Sequence, residues 1–390
     1  MTDLKIPVGI SDFAKIRNYQ YYYVDKTGLI EELLENETAE VTLITRPRRF
    51  GKTMGMSMLA NFFDIRKDSK AMFAGLEISK NAALCKEWMN QWPVVFLSFK
   101  NIDGDKFSLA YQQMVYEIGL LYDSYSELLT SNKLSEDDKT LFLQLKRRTA
   151  NEIDVLRSIQ FLLSLLYKHY GKTVILLLDE YDVPLAKSSA HGYYPDMLNV
   201  IKSMMTTSLK DNNTLRFAVI TGCLRIAKES IFTGTNNFVS DTISSSHLNE
   251  YFGFTQADVD QILKDAGCLE HADDIKNWYD GYHFGNLDVY CPWDVMNYLR
   301  DLQRNPKAKP ASYWKNTSDN SIIRSFIDYR GRKISQKLET LLSGGYILQK
   351  VEDDLTYDYL HSSEENLWSI LYLTGYLTQV REKDLPTPLP

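Results

Sequence analysis

The stretch RPRRFGKT at residues 46–53 decides the fold, and it directly follows the apolar run VTLIT at 41–45. Its end matches a phosphate-binding loop, G-x-x-x-x-G-K-[ST], although Arg46 stands where that pattern begins with glycine. After the loop, apolar residues recur at helical spacing at Met54, Met58, Leu59, Phe62 and Phe63. The stretch is therefore predicted to lie at a strand-to-helix junction, which is the context that a phosphate loop requires.

In such a loop, backbone N–H groups surround an anion at the positive end of a helix. Gly51 keeps the backbone accessible, Lys52 is expected to reach the β- and γ-phosphates, and the Thr53 hydroxyl is expected to bind Mg²⁺. The missing glycine falls at the strand exit rather than beside the phosphate, and the fixed φ of proline favours a turn there. The other loop residues expected to contact the nucleotide are Pro47, Arg48, Arg49 and Phe50.

A second motif lies in TVILLLDEYD at 173–182, a continuous apolar run typical of a strand buried on both faces. We expect Asp179 to hold the metal, directly or through water, and Glu180 to activate the attacking water. The alternative is that Asp179, Glu180 and Asp182 form a solvated strand end that caps the next helix. G-K-T alone recurs by chance, so the case for a nucleotide site depends on both motifs having the right context.

Strand and helix patterns alternate through the first half, which predicts parallel strands joined by helices. The predicted strands are 41–45, 94–99, 173–182, 215–222 and, more weakly, 243–248. Helical patterns at 106–129, 136–148 and 152–169 predict an inserted helical layer. Its middle helix should open with a capping box formed by Ser135 and Asp138.

Beyond residue 249 the pattern becomes mostly helical. Thr255 is a predicted N-cap of a helix that stops at Gly267. Further helices are expected at 271–279, 292–302, 319–329 and 333–343, with an aromatic turn at 279–285. A strand is expected at 356–361, followed by an apolar helix and a proline-rich end that resembles a cut linker. The predicted domains are 1–249 for the phosphate-loop unit, 250–345 for a helical lid and 346–390 for a small module with linker.

Composition limits the function classes. The 390 residues are 44% apolar with a net charge of −7, which argues against a surface built wholly for nucleic acid. The cysteines lack metal-site spacing and are expected to be reduced and mostly buried; they are Cys85, Cys223, Cys268 and Cys291. The N-terminus has no signal-peptide pattern and no apolar run approaches a membrane span, so a cytoplasmic location is expected.

RPRRFGKT, with LLLDEYDVPL, IPVGISDF and YYYVDKTGLI, strongly resembles the bacterial AAA-ATPase-like proteins. The resemblance extends through TGCLRIAKESIFTGTNNF, YFGFT, WYDGYHFG and YCPWDVMNYL, and so covers most of the chain. That family is related to archaeal-type ATPases of the additional-strand P-loop class, and its members often add a C-terminal PD-(D/E)XK nuclease-like domain. Because the related ATPases use G-P-R-R-x-G-K-T, Arg46 is interpreted as a family feature.

The resemblance implies an α/β P-loop fold with a parallel sheet in the order 5-1-4-3-2, then a mostly helical lid and a winged-helix-like region. Thr221 matches the polar sensor that ends the fourth strand. Arg225 would reach the γ-phosphate in cis, or else pair with a nearby carboxylate. Tyr23, Val24 and Lys26 lie in the segment that flanks adenine in the related ATPases.

The function so implied is ATP binding and Mg²⁺-dependent hydrolysis that switches the lid. One alternative is a nucleotide-binding scaffold with little turnover. Another is a regulator of a nuclease or a nucleic-acid motor, suggested by Arg46, Arg48 and Arg49 and by the nuclease-like partner domain. No nuclease site is predicted within the chain, because the D-x-K pairs 68–70 and 274–276 fall in segments that read as helix or loop.

Overall fold

The computed structural model describes residues 4–35, 39–226, 238–314, 331–353, 355 and 363–380. A five-stranded parallel sheet lies at its centre, in the order β2-β3-β4-β1-β5. The strands are β1 Val41–Thr45, β2 Val94–Ser98, β3 Val174–Asp179, β4 Leu215–Gly222 and β5 Phe238–Asp241. This is the predicted order, counted from the opposite edge, and the α/β P-loop fold is confirmed.

The central strands bring the two motifs together. Every residue of β3 is buried, as its apolar run predicts for a strand covered on both faces. In the parallel register, Ile44 of β1 pairs with Thr221 of β4, and Leu178 of β3 pairs with Ile220 of β4. The chain therefore leaves β1, β3 and β4 at the same edge, where ligands bind in open α/β sheets.

Helices cover both faces of the sheet. Those before β5 are α1 Phe13–Asn18, α2 Gly28–Glu35, α3 Lys52–Phe63, α4 Lys70–Phe73, α5 Ala82–Trp88, α6 Phe107–Asp123, α7 Glu136–Lys146, α8 Glu152–Leu156, α9 Ser158–Tyr170, α10 Val183–His191 and α11 Tyr194–Leu209. Helix α3 begins at Lys52, so the last two residues of the phosphate loop form its first turn. Helices α6 to α9 form the predicted insertion between β2 and β3, and the capping box of Ser135 and Asp138 is present at the start of α7.

The fifth strand was predicted in the wrong place. It is β5, whereas 243–248 forms turns and bends. Side-chain oxygens cap the backbone here: Ser245 Oγ accepts from Thr242 N at 3.0 Å, and Thr242 Oγ1 accepts from Ser244 N at 3.2 Å. Such local hydrogen bonds compete with a strand ladder, which explains why the serine-rich run turns.

The later part contains α12 Gln256–Ala266, α13 Ala272–Tyr279, α14 Pro292–Arg304, α15 Gly331–Leu342 and α16 Glu364–Leu373. Helix α12 has the predicted N-cap Thr255 and ends at Gly267, with φ +65°. The predicted aromatic turn is an antiparallel hairpin of β6 Asp280–Phe284 and β7 Leu287–Tyr290. The helix expected at 319–329, the strand at 356–361 and the proline-rich end lie outside the described residues.

Packing ties the N-terminal segment to the helices after β5. One apolar cluster joins Leu4, Ile6 and Val24 to Val259 and other residues of α12 to α14. Two larger clusters cover the faces of the sheet. The chain start thus lies between the sheet and the C-terminal helices, while the three-domain division stays a prediction. Among the described helices, none has the length and apolarity needed to cross a membrane.

Candidate functional site

A cavity of about 290 Å³ opens beside the phosphate loop. Loop residues 49–55 form one wall, and the N-terminal stretches 7–11 and 22–24 form another. The third wall comes from residues before α12 and from the first turns of α14, including Phe254 and Trp293. Lys52, Thr53 and Glu180 gather at the loop end, and the other walls are mostly apolar or aromatic with a few polar side chains such as Lys26 and Asn297, so the cavity suits a ligand with one charged end and one flat end.

The phosphate loop has two residues in left-handed backbone conformation. Gly51 has φ +88°, and a Cβ added there would meet no atom within 4 Å. Glycine is therefore needed here for the left-handed backbone conformation and not for close packing. Arg49 adopts φ +76° without being glycine, which costs roughly 1–2 kcal/mol. Strained residues of this kind concentrate at ligand sites.

Lys52 lies buried at the start of α3. Its Nζ donates to the carbonyl oxygens of Arg46 at 2.9 Å and Pro47 at 3.1 Å, and lies 3.5 Å from Glu180 Oε1. Burial lowers the pKa of Lys52, but the Cys223 thiol and the nearby carboxylates outweigh it and leave the pKa raised. The ammonium group is therefore charged and sits between the loop and the end of β3.

Asp179 ends β3 between two threonine hydroxyls. Thr53 Oγ1 donates to Asp179 Oδ2 at 2.9 Å, and Thr221 Oγ1 donates to Oδ1 at 2.7 Å. Ser98 Oγ lies 3.3 Å from Oδ2, and sequence reasoning did not identify it. Burial raises the pKa of Asp179, while the hydrogen bond from Thr221 opposes that rise. The structure thus joins both motifs and the expected sensor position in one hydrogen-bonded group.

Glu180 lines the cavity next to this group. Its backbone has φ +56°, an uncommon conformation for a glutamate, and its side chain is 16% exposed. The alternative of a solvated strand end does not describe this region, because Asp179 and Asp182 are buried. A carboxylate held in the cavity wall beside a buried lysine is a candidate general base.

Asp182 connects the acidic motif to the end of β4. Its Oδ2 accepts from the backbone N–H groups of Cys223 and Leu224, both at 3.0 Å. Burial, and then the charge of Glu180, raises the pKa of Asp182 to about 6. A Cβ on Gly222 would stand 2.7 Å from Asp182 Oδ1, so this approach requires glycine. Sequence reasoning missed this role of Gly222, although the glycine in the TGC at 221–223, where β4 ends, could have signalled it.

Arg46 points into the protein, away from the cavity. Its guanidinium forms a buried ion pair with Asp241 at the end of β5 and donates to Asn249 Oδ1 at 3.0 Å. The Phe252 and Phe284 rings lie 5.4 and 5.7 Å from its Cζ. Arg46 is therefore a structural residue of the fold, and its side chain is not on the surface.

The remaining loop residues differ in their surroundings. Arg49 stacks on the Trp293 ring with its Cζ 4.0 Å from the ring centroid, and Phe50 is buried against Tyr282 of β6. Pro47 contributes the carbonyl that Lys52 contacts. Arg48 is half-buried and is not among the cavity-lining residues of the described chain.

Tyr23, Val24 and Lys26, which were expected near the adenine of the nucleotide, lie in the cavity wall. The polar groups of Tyr23 and Lys26 are already bonded to other parts of the protein. Tyr23 Oη donates to Met58 Sδ at 3.4 Å. Lys26 Nζ contacts Asp258 Oδ2 and the Glu250 carbonyl, both at 2.6 Å, so this ammonium holds α12. Val24 lines the cavity through apolar atoms.

Arg225 is half-buried beyond the end of β4 and is not among the residues that line the cavity in the described chain. Its contribution to a γ-phosphate site stays a prediction.

Thr53 and Asp179 supply hydroxyl and carboxylate oxygens, which are the ligand types that Mg²⁺ prefers. Among the described residues, no group of three or more His, Cys, Asp or Glu side chains could hold a metal ion. This donor set fits a Mg²⁺ ion that keeps waters and takes its remaining ligands from substrate phosphates. It does not form an all-protein cage.

The sheet order and the loop between β1 and α3 define a P-loop nucleoside triphosphatase fold of the additional-strand class. The chain belongs to the family described as predicted AAA-ATPases, whose model matches residues 7–232. It is also 27% identical over 384 residues to an Azotobacter chroococcum mcd 1 protein described as "Uncharacterized protein in vnfD 5'region". The alignment covers 97% of this chain and 64% of that relative, so the chain spans less than two thirds of the relative's length. No solved structure matches the chain.

Proposed function

We propose that the protein is a Mg²⁺-dependent ATPase whose hydrolysis switches the C-terminal helices against the sheet. Membership of the predicted AAA-ATPase family supports ATP binding in general. The observation that carries the finer proposal is the joined arrangement of Lys52, Asp179 and Glu180 at the loop end of the cavity. A pure binding site has no need for a glutamate beside the metal-holding carboxylate.

In this proposal Lys52 exchanges the carbonyls of Arg46 and Pro47 for the β- and γ-phosphates of ATP. The loop backbone from Arg48 to Thr53 surrounds the phosphates at the N-terminus of α3. Glu180 accepts a proton from water as the water oxygen bonds to the γ-phosphorus and the bond from that phosphorus to the bridging oxygen breaks. Thr221 orients Asp179 through its hydroxyl.

Thr53 and Asp179 would hold the magnesium ion. When bound, the ion neutralises charge that develops on the phosphate oxygens. Asp179 is already held by Thr53 and Thr221, so its carboxylate needs little rearrangement before it receives a metal or a metal-bound water.

The proposed switch involves the cavity walls. Trp293 at the start of α14 contacts Arg49 of the loop, while Lys26 and Tyr22 bind Asp258 and Asp265 of α12. A nucleotide that enters between these walls would touch the loop, the N-terminal segment and α14 together. Hydrolysis and phosphate release would remove part of that bridge, which is how ligand-dependent closure is generally driven.

The test is ATP hydrolysis by the wild-type protein and by Glu180→Gln. We expect Mg²⁺-dependent phosphate release by the wild type and a kcat at least about 100-fold lower in Glu180→Gln, because the general base is lost. ATP affinity should change little in this variant. Glu87→Gln makes the same chemical change at an exposed position of α5 and should keep the wild-type rate.

Equal rates for wild type and Glu180→Gln would contradict the enzyme proposal and favour a nucleotide-binding scaffold. The nucleic-acid alternative rested on Arg46, Arg48 and Arg49. Because Arg46 is buried, only Arg48 and Arg49 remain as candidates for contact with nucleic acid. DNA affinity that depends on salt and disappears when Arg48 and Arg49 are neutralised would support that alternative.

A further inference from the structure

We propose that Asn297 determines the base preference of the nucleotide site and selects a purine with a 6-amino group. The inference rests on the nucleoside triphosphate site proposed above, and it adds the side chain that distinguishes one base from another. Asn297 lies in α14 and lines the cavity on the wall that Trp293 and Met296 also form. It lies in the segment YCPWDVMNYL at 290–299, but sequence reasoning assigned it no role of its own.

Asn297 is a buried polar residue, with only 4% of its surface exposed. Its Nδ2 donates to the Trp293 carbonyl oxygen at 2.7 Å. Only the amide nitrogen can donate to a carbonyl, so this bond identifies which end of the side chain is Oδ1. Within the described residues, Oδ1 accepts no hydrogen bond.

Oδ1 is not one of the fully buried side-chain atoms that lack a partner in the described chain, so it keeps some contact with solvent and can be reached from the cavity. A ligand donor that reaches Asn297 Oδ1 would replace water there with a direct hydrogen bond. Other polar groups in the walls already have protein partners: Lys26 binds Asp258, and the Tyr23 hydroxyl binds Met58. Asn297 is therefore the wall residue whose hydrogen-bonding capacity best matches an incoming donor.

The chemistry of the purines then decides the preference. Adenine carries an amino group at position 6, which donates a hydrogen bond. Guanine and hypoxanthine carry a carbonyl oxygen at that position, which would face Oδ1 as a second acceptor. Apolar side chains such as Met296 suit the flat ring. The Trp293 indole N–H donates to the Tyr313 carbonyl at 3.1 Å, so the first turn of α14 is held in place.

The experiment measures the dissociation constants of three triphosphates in the presence of Mg²⁺. They are ATP, inosine triphosphate with a 6-oxo group, and purine riboside triphosphate with hydrogen at position 6. The wild type should bind ATP about 10-fold more tightly than the 6-hydrogen analogue, which is the size of one net hydrogen bond. Inosine triphosphate should bind more weakly than either.

Asn297→Ala should bring the ratio between ATP and the 6-hydrogen analogue close to 1, mainly by weakening ATP. Asn297→Ser serves as a second variant, because its hydroxyl can still donate to the Trp293 carbonyl one turn earlier. It should also lose most of the preference, which separates loss of the amide oxygen from disturbance of α14. Arg300→Ala, on the same helix and away from the cavity lining, should keep the wild-type ratio.

A wild-type ratio near 1, or an unchanged ratio in Asn297→Ala, overturns the inference. If Lys52→Ala still abolishes triphosphate binding in that case, the proposed nucleotide site stands without it. Failure of the wild type to bind any of the three triphosphates overturns both.

Discussion

The guanidinium of Arg46 joins segments that are far apart in the chain. It pairs with Asp241, which ends β5, and bonds to Asn249, while its backbone N–H donates to the Gly222 carbonyl at 3.1 Å. Asn249 Nδ2 continues the network to the Phe284 carbonyl at 2.9 Å. The residue at the first loop position therefore connects the sheet to the hairpin β6-β7, a role that glycine cannot fill.

Replacing Arg46 with glycine should destabilise the protein although it restores the usual loop pattern. We expect Arg46→Gly to lower the free energy of unfolding by about 3–5 kcal/mol, because Asp241 is left as a buried charge without its partner. Denaturant unfolding measures the change. The double variant Arg46→Met with Asp241→Leu should recover much of the loss, since it removes both charges.

Arg147→Ala, at an exposed arginine after α7, is the matched control and should change stability by less than about 0.5 kcal/mol. An Arg46→Gly protein as stable as the wild type would show that the buried pair contributes nothing net.

Helices α7 and α12 both begin with a capping box, but the two boxes contact different parts of the protein. Ser135 and Asp138 form a capping box on α7 in the helical insertion, and Thr255 and Asp258 form one on α12. In α12, the capping carboxylate also binds Lys26 of the N-terminal segment. The start of α12 is thus tied to a cavity wall, whereas the start of α7 is not.

This difference predicts that removing the N-cap hydroxyl of each helix has the same effect on stability but a different effect on ATP binding. Thr255→Ala and Ser135→Ala should each lower the free energy of unfolding by about 1 kcal/mol, because each removes an N-cap hydroxyl. Only Thr255→Ala should also weaken ATP binding, since Asp258 would lose the contacts that help to hold Lys26. Denaturant unfolding and ATP titration of both variants provide the comparison. Equal ATP affinities would mean that α12 does not influence the nucleotide site.

On the scale of the whole molecule, the cavity is enclosed by parts of three regions of the chain. A ligand that binds the folded state there must stabilise the whole protein by mass action. At 100 times its dissociation constant, ATP with Mg²⁺ should raise the free energy of unfolding by about 2.7 kcal/mol. Thermal or denaturant unfolding with and without ATP measures this shift.

Lys52→Ala should abolish the stabilisation by ATP, because the loop loses the cation that faces the phosphates. Lys86→Ala, at an exposed position of α5, should keep the stabilisation by ATP. A shift that survives in Lys52→Ala would place the ATP site elsewhere.

The sequence predicted those parts of the molecule that depend on short patterns. Four of the five strands, the loop before α3, the capping box of α7 and the N-cap Thr255 of α12 follow from neighbouring residues, because strand propensity, helical periodicity and capping are local effects. The fifth strand was misplaced because its evidence was weak and the serine side chains of 243–248 compete with a ladder. The hairpin β6-β7 was missed because it read as a turn.

The sequence by itself determined the fold class and the two motifs, since a glycine-containing loop after an apolar strand and an acidic end of a buried strand are readable from adjacent residues. Only the tertiary structure decided where Arg46 points, what Lys26 holds and which side chains complete the cavity. The Arg46 guanidinium meets Asp241, 195 residues away in sequence, and Lys26 meets Asp258, 232 residues away. Contacts at such separations arise when packed elements bring the chain back on itself, so no local pattern encodes them.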